Sequence, residues 1–337
     1  MATSPRGRGE PDPEAGWRRR ALLWLAGGLL ATILVATAVF AFGESRTMLD
    51  TLARISPGVV LGCLGLSLIN YGLRALRWHL YTRGLRLDVS LPRDTLYYVA
   101  GFSMTVTPGK VGEALRLWLL RRGHGHGYER TLALIAADRI ADAAALVIIA
   151  LAGIALLQAS VAAIAPMAVI TLVSVFLMMR PRYLAAMVGG GYALVRRKPR
   201  LFGRLRIAVR QLERLGSPWR LLAALVLSLA GWFAEVMQVW WVVHACGGAI
   251  DIWGAAVAFA VSMVVGSATM LPGGLGGTEI GMVALLTQRG VSFEIAVTTT
   301  ALVRVTTLWF SVALGMGCLP LAIRRVTRPA TTGGATA

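Results

Sequence analysis

Runs of about twenty residues without a charge decide what this chain can become. Residues 21–42 form 22 consecutive uncharged positions, enough to cross a hydrocarbon core about 30 Å thick as a helix. Further runs at 57–78, 132–157, 161–179, 221–244 and 294–319 meet the same length rule. Inside lipid each backbone N–H and C=O must find its partner within the segment, so such runs specify helices. Composition agrees, because only 15% of residues are charged against about 25% in a soluble domain. The expected class is all-α, a polytopic helical membrane bundle with about six spanning helices. Residues 1–20 and 326–337 read as disordered tails, the first cytoplasmic, around a transmembrane domain at 21–325. Ala36-Thr37-Ala38 fits a signal-peptidase site, but run 21–42 is longer than a usual signal core, so a retained helix is expected.

Two other apolar stretches are interrupted. Residues 91–120 break at Pro108-Gly109, and 252–288 break at Pro272-Gly273-Gly274. Each half is too short to cross alone, so both read as re-entrant hairpins, a geometry tolerated at membrane depth only against protein or a cavity. Charge placement supports this topology. With the N-terminus inside, segments 1–20, 80–93, 121–130, 180–220 and 321–337 carry 25 Lys or Arg, while the outer segments carry only Arg46, Arg54 and Arg289. That positive-inside bias requires each hairpin to return to the face it entered from, and puts both termini in the cytoplasm. In loop 180–220, Leu201, Phe202, Leu205, Val209 and Leu212 form a stripe against Arg204, Arg206, Arg210 and Arg214. Such a helix suits an anionic leaflet, or simply anchors the topology.

The two halves echo each other. Pro108-Gly109-Lys110-Val111-Gly112-Glu113 precedes Arg139, and Pro272-Gly273-Gly274-Leu275-Gly276-Gly277-Thr278-Glu279 precedes Arg304. Because the hairpins enter from opposite faces, the pattern is an inverted repeat, which builds a central site from broken helices. Glycine permits the turns and close approaches of the breaks. The half-helix that follows each break aims free N–H groups at mid-membrane, where phosphate or a carboxylate is favoured.

Ionisable groups in hydrocarbon need partners. The set is Arg74, Arg77, Glu113, Arg116, Asp138, Arg139, Asp142, Glu235, Glu279 and Arg304. One reading is a polar cavity for a charged headgroup, built from Lys110, Glu113, Asp138, Arg139, Asp142, Glu235, Glu279 and Arg304. The other is a set of buried pairs, Glu113 with Arg139 and Glu279 with Arg304, holding hairpins to neighbouring helices; the two can coexist. Arg77 and Arg116 are expected to snorkel to the cytoplasmic face. Trp17, Trp24, Trp78, Trp118, Trp219 and Trp253 fit interfacial belts, and Trp240-Trp241 could line the cavity or pack. His79 reads as interfacial, and His124-Gly125-His126 as a surface loop. Cys63, Cys246 and Cys318 have no CxxC spacing, and neither a metal site nor a cofactor motif is expected. The net charge of +18 lies at the ends of apolar runs, so nucleic acid is not the expected partner.

The signatures TPGKVGEALR at 107–116 and LPGGLGGTE at 271–279, with DRIAD at 138–142 and Arg304, resemble the transmembrane region of lysylphosphatidylglycerol synthases. That family is also described as flippase-like integral membrane proteins. Asp138 stands where Glu is common in the family. The resemblance implies a protein of the bacterial inner membrane that handles anionic lipids between leaflets. Phospholipid, glycolipid and polyprenyl phosphate are the candidate classes. Lysine transfer in the full-length synthases needs a soluble domain not seen in this sequence, so an enzyme is not expected. The alternative is a non-transporting scaffold for envelope lipid or glycan enzymes, and a lipid-modifying enzyme would need a nucleophile and base that are not evident.

Overall fold

A computed structural model describes residues 55–107, 111–157, 165–195, 199–269 and 271–327. The expected first helix, the N-terminal tail and Pro108, Gly109 and Lys110 lie outside the described residues. Within them the chain is helical: α1 Pro57–Gly84, α2 Leu91–Gly101, α3 Val111–His124 and α4 Tyr128–Leu156 form the first half. Then come α5 Ala165–Met179, α6 Pro181–Val195 and α7 Pro199–Leu215. The second half is α8 Pro218–Ala245, α9 Ile252–Ala268, α10 Gly277–Gln288, α11 Phe293–Arg304 and α12 Phe310–Thr327, the last two joined by a π turn at Val305–Trp309.

Among the described residues four helices are long and apolar enough to span: α1, α4, α8 and the continuous α11–α12. α1 and α8 each have 28 residues, about 42 Å at 1.5 Å per residue, long enough to cross a hydrocarbon core of about 30 Å with tilt. Both begin with an extended serine, Ser56 or Ser217, followed by proline in the first turn. Proline fits there because its missing N–H has no helical partner to lose. α5 has 15 residues, short for a span, although the predicted run began at 161, within residues that are not described. The helical domain reaches Thr327, slightly past the expected limit of 325.

Both interrupted stretches fold as helix, break, helix. α2 packs on α3 and α9 on α10. The second break is made by Gly273, Gly274 and Gly276, with φ of 63°, 69° and 84°, a region closed to most side chains. In the first, a Cβ on Gly112 would collide with the carbonyl oxygen of Gly101. Here glycine is required for two half-helices to touch.

The contacts fix which end of the bundle each hairpin opens from. Arg130 at the start of α4 donates to the Leu85 carbonyl after α1 at 2.7 Å. The Tyr97 and His124 rings are 6.0 Å apart, Gly123 faces Tyr97 and Val326, and Gly84 faces Leu215 and Arg220. One end therefore gathers the close of α1, the mouth of the first hairpin, the starts of α4 and α8 and the close of α12. At the other end Gly62 faces Trp241, Gly153 faces Trp253 and Val257, and Gly248 faces Ile295. That end holds the mouth of the second hairpin. The repeat is inverted, as the placement of the arginines predicts.

The membrane-facing surface is apolar. Leu61 is 68% and Leu172 68% exposed, while Arg77 is fully buried, the reverse of a soluble protein. Several expectations are corrected at this level. Arg77 and Arg116 do not snorkel but are buried. Trp78 is buried too, beneath Arg116 at 5.6 Å, and so is no belt residue; Trp219 is 75% exposed and suits one. In the stripe of the basic loop Val209 and Leu212 are buried, with α7 packed on α4, while Leu205 is exposed. His79 is tied to Asp94 at 2.6 Å, and Asp94, wholly buried, also accepts from Thr82 at 2.5 Å. This latch joins α1 to α2 and was not anticipated.

Candidate functional site

α1 and α8 cross at the centre of the molecule, and their sequences are in register at an offset of 161 residues. Asn70 donates to the Gly231 carbonyl at 2.7 Å, a contact between equivalent positions. On one side of that point Arg77 donates to Ser228; on the other Gln238 donates to Ser67 at 3.0 Å. These two bonds are related by the same offset, as a local two-fold axis in the membrane plane demands.

Around the axis the first half builds a charged lattice. Arg77 meets Asp138 at 2.6 Å and Asp142 at 2.7 Å. Arg74 meets Asp142 at 3.0 Å, and Arg139 meets Asp138 and Asp142 at 3.1 Å and Glu113 at 3.3 Å. The Trp232 indole donates to Asp142 at 3.1 Å. The spacing explains this: positions three or four apart on a helix share a face, so Arg74 and Arg77 on α1 meet Asp138 and Asp142 on α4. Each buried charge is thus compensated, without which its desolvation would cost several kcal/mol.

In the second half Arg304 meets Glu279 at 2.6 Å and donates to the Gly273 carbonyl at 2.6 Å. It ties the glycine break to α11. Neutral hydrogen bonds tie α8, α1 and the last helix together on that side. Gln238 accepts from Thr306 at 2.9 Å, Ser67 donates to the Thr306 carbonyl at 2.8 Å, and Tyr71 donates to the Thr307 carbonyl. Those carbonyls lie in the π turn, whose widened ring frees backbone acceptors and often marks a functional site.

Between the two breaks lies a cavity of about 190 Å³. Its lining comes from both halves: Arg74, Glu113, Arg116 and Arg139 from the first, Glu235 and Arg304 from the second, with Tyr71, Phe102 and Trp232 as aromatic walls. Gly112, Gly273 and Gly274 bring the break backbones to its surface. Arg116 lies 3.8 Å from the centre of the Tyr98 ring and 3.9 Å from Asp138, so it is held by cation–π contact and partial pairing.

The candidate residues therefore divide. Glu113, Arg139, Glu235 and Arg304 line the cavity, whereas Asp138, Asp142 and Glu279 stand behind it as partners of its arginines. Both expected pairs, Glu113 with Arg139 and Glu279 with Arg304, are formed. Lys110 falls outside the described residues. Trp240 packs against the core and His244, and Trp241 against Gly62, so neither lines the cavity. Trp232 does, and its signal was available, since the repeat register pairs it with Tyr71. Arg74 and Arg116 also belong to the lining. His124 and His126 stack at 6.0 Å, and no cluster able to hold a metal occurs among the described residues.

Comparison with known proteins agrees with this architecture. The profile described as lysylphosphatidylglycerol synthase TM region matches residues 24–315. A UPF0104 membrane protein of Pyrococcus horikoshii is 25% identical over 337 aligned positions, covering 91% of this chain and 98% of the relative. Another, from Methanothermobacter thermautotrophicus, is 23% identical over 316 positions, covering 87% and 93%.

Proposed function

The chain belongs to the lysylphosphatidylglycerol synthase TM-region family, and from that premise we propose that it moves an anionic lipid headgroup between leaflets. The observation that carries the reading is the cluster of guanidinium groups in the cavity wall. Four arginines, Arg74, Arg116, Arg139 and Arg304, face two acids, Glu113 and Glu235. Arginine forks match phosphate oxygens, and α3 and α10 both begin beside the cavity, adding helix N-termini suited to phosphate. A headgroup would cross between the two breaks while its acyl chains stay in lipid. Phospholipid, glycolipid or polyprenyl phosphate would each present the same phosphate. The role is positional, with no bond to the lipid made or broken. In this reading the arginine-rich end faces the cytoplasm of a bacterial cell, and envelope lipid or glycan enzymes that consume the lipid would pull the exchange forward.

The test is reconstitution into vesicles carrying fluorescent phosphatidylglycerol or a fluorescent polyprenyl phosphate, with a membrane-impermeant quencher added outside. The expected result is faster loss of the inner-leaflet signal than in protein-free vesicles, slowed at least tenfold by Arg304→Gln, about 1.4 kcal/mol. Rates equal to those of empty vesicles for both lipids would overturn transport and favour a scaffold.

A further inference from the structure

Glu235 differs from every other acid near the cavity. It is 5% exposed and lines the cavity from α8, yet among the described residues it makes no hydrogen bond or ion pair. Glu113 is held by Arg139, Asp138 by Arg77, Asp142 by Arg74 and Arg77, and Glu279 by Arg304. In the repeat register Glu235 occupies the place of Arg74, so the two halves put opposite charges at equivalent positions. The groups around it are Tyr71 and Arg74 from α1, Arg139 and Asp142 from α4, Arg304 from α11, and Glu113 and Arg116 across the cavity on α3. α9 presents Met263, Gly266 and Ser267, with no charge.

Counting charges gives this isolation a consequence. The cavity-lining charges and their ion-pair partners among the described residues are five arginines (74, 77, 116, 139, 304) and five acids (113, 138, 142, 235, 279). This set is therefore neutral only with Glu235 ionised. A singly charged phosphodiester entering this space would leave one negative charge uncompensated in a low dielectric, which is costly. The acid without a partner can remove that excess by accepting a proton.

We propose that Glu235 takes up one proton from water when a phosphodiester anion binds in the cavity, and releases it when the anion leaves. The proton adds to a carboxylate oxygen of Glu235, and no bond in the lipid changes. The proposal rests on the headgroup reading above and adds a coupled ion to it.

Calorimetric titration of the detergent-purified full chain with dihexanoyl phosphatidylglycerol, in two buffers of different ionisation heat, counts the protons. This phosphodiester does not itself titrate near neutral pH. The expected result is about one proton absorbed per lipid, with affinity weakening about tenfold per pH unit above the point where free Glu235 ionises. Glu235→Gln should bind with no proton exchange and with affinity independent of pH. Binding by the unaltered protein without proton uptake, or the same uptake in Glu235→Gln, overturns the proposal and leaves the headgroup reading standing. No binding of either the lipid or dimethyl phosphate overturns both. Proton-linked binding of dimethyl phosphate but not of the lipid would keep the role of Glu235 and remove the lipid as its source. Should Glu235→Gln fail to fold, the proton count on the unaltered protein decides alone.

Discussion

The two halves of this bundle share a backbone plan and differ in what fills it. In the first, α1 is fastened to α4 by Arg74 and Arg77 against Asp138 and Asp142. At the matching places the second half has Glu235, Gln238, Val303 and Thr307, and α8 meets the last helix through an amide and hydroxyls beside a π turn. Ion pairs out of water are strongly held once formed, because breaking one leaves a bare charge. Neutral hydrogen bonds within membranes are worth much less and exchange partners readily. The first half is thereby the fixed frame, and the second is where a change of shape costs least. Its helix already contains the irregular turn, and its break is tied to α11 through Arg304.

The sharpest way to break this comparison is Arg77→Met. It removes the fully buried one of the two arginines that Asp138 and Asp142 share, and should cost about 3–5 kcal/mol in unfolding measured in detergent. A loss under about 1 kcal/mol would mean that the lattice is not what fastens the first half. Next, Gly274→Ala forces a side chain to φ of 69° and to 2.8 Å from the Thr278 hydroxyl, at an expected cost of about 1–3 kcal/mol. Its transport rate should fall by more than its stability suggests, because the break itself is displaced. The smallest effect is expected of Gln238→Leu, which removes the bonds to Ser67 and Thr306 and should cost about 0.6–1.7 kcal/mol. If it proves as damaging as Arg77→Met, the two halves are equally rigid and the contrast fails.

Much of the site was legible in advance because it follows from helical spacing. Glu113 and Arg139, and Glu279 and Arg304, pair because each hairpin returns to the helix after it, a chain-local relation set by the break and one turnaround. Arg77 was misjudged because snorkelling assumes that a long side chain near a helix end finds water, whereas α4 and α8 cover it. Asp94 was overlooked because it falls at a helix start in a polar-looking segment, and only packing against His79 and Thr82 buries it. The division between Glu113, which lines the cavity, and Asp142, which stands behind it, depends on which face of each helix meets the axis.

What the residues alone determined was the number of apolar runs, their two glycine-marked interruptions and the opposed directions of the hairpins, since length, turn chemistry and arginine bias act along the chain. What the tertiary structure decided was which charges meet. Arg74 and Glu235 occupy equivalent positions, but one finds a carboxylate partner and the other faces an open cavity. That difference arises because α1 and α8 cross at Asn70 and Gly231, and partners at a crossing come from segments far apart in sequence.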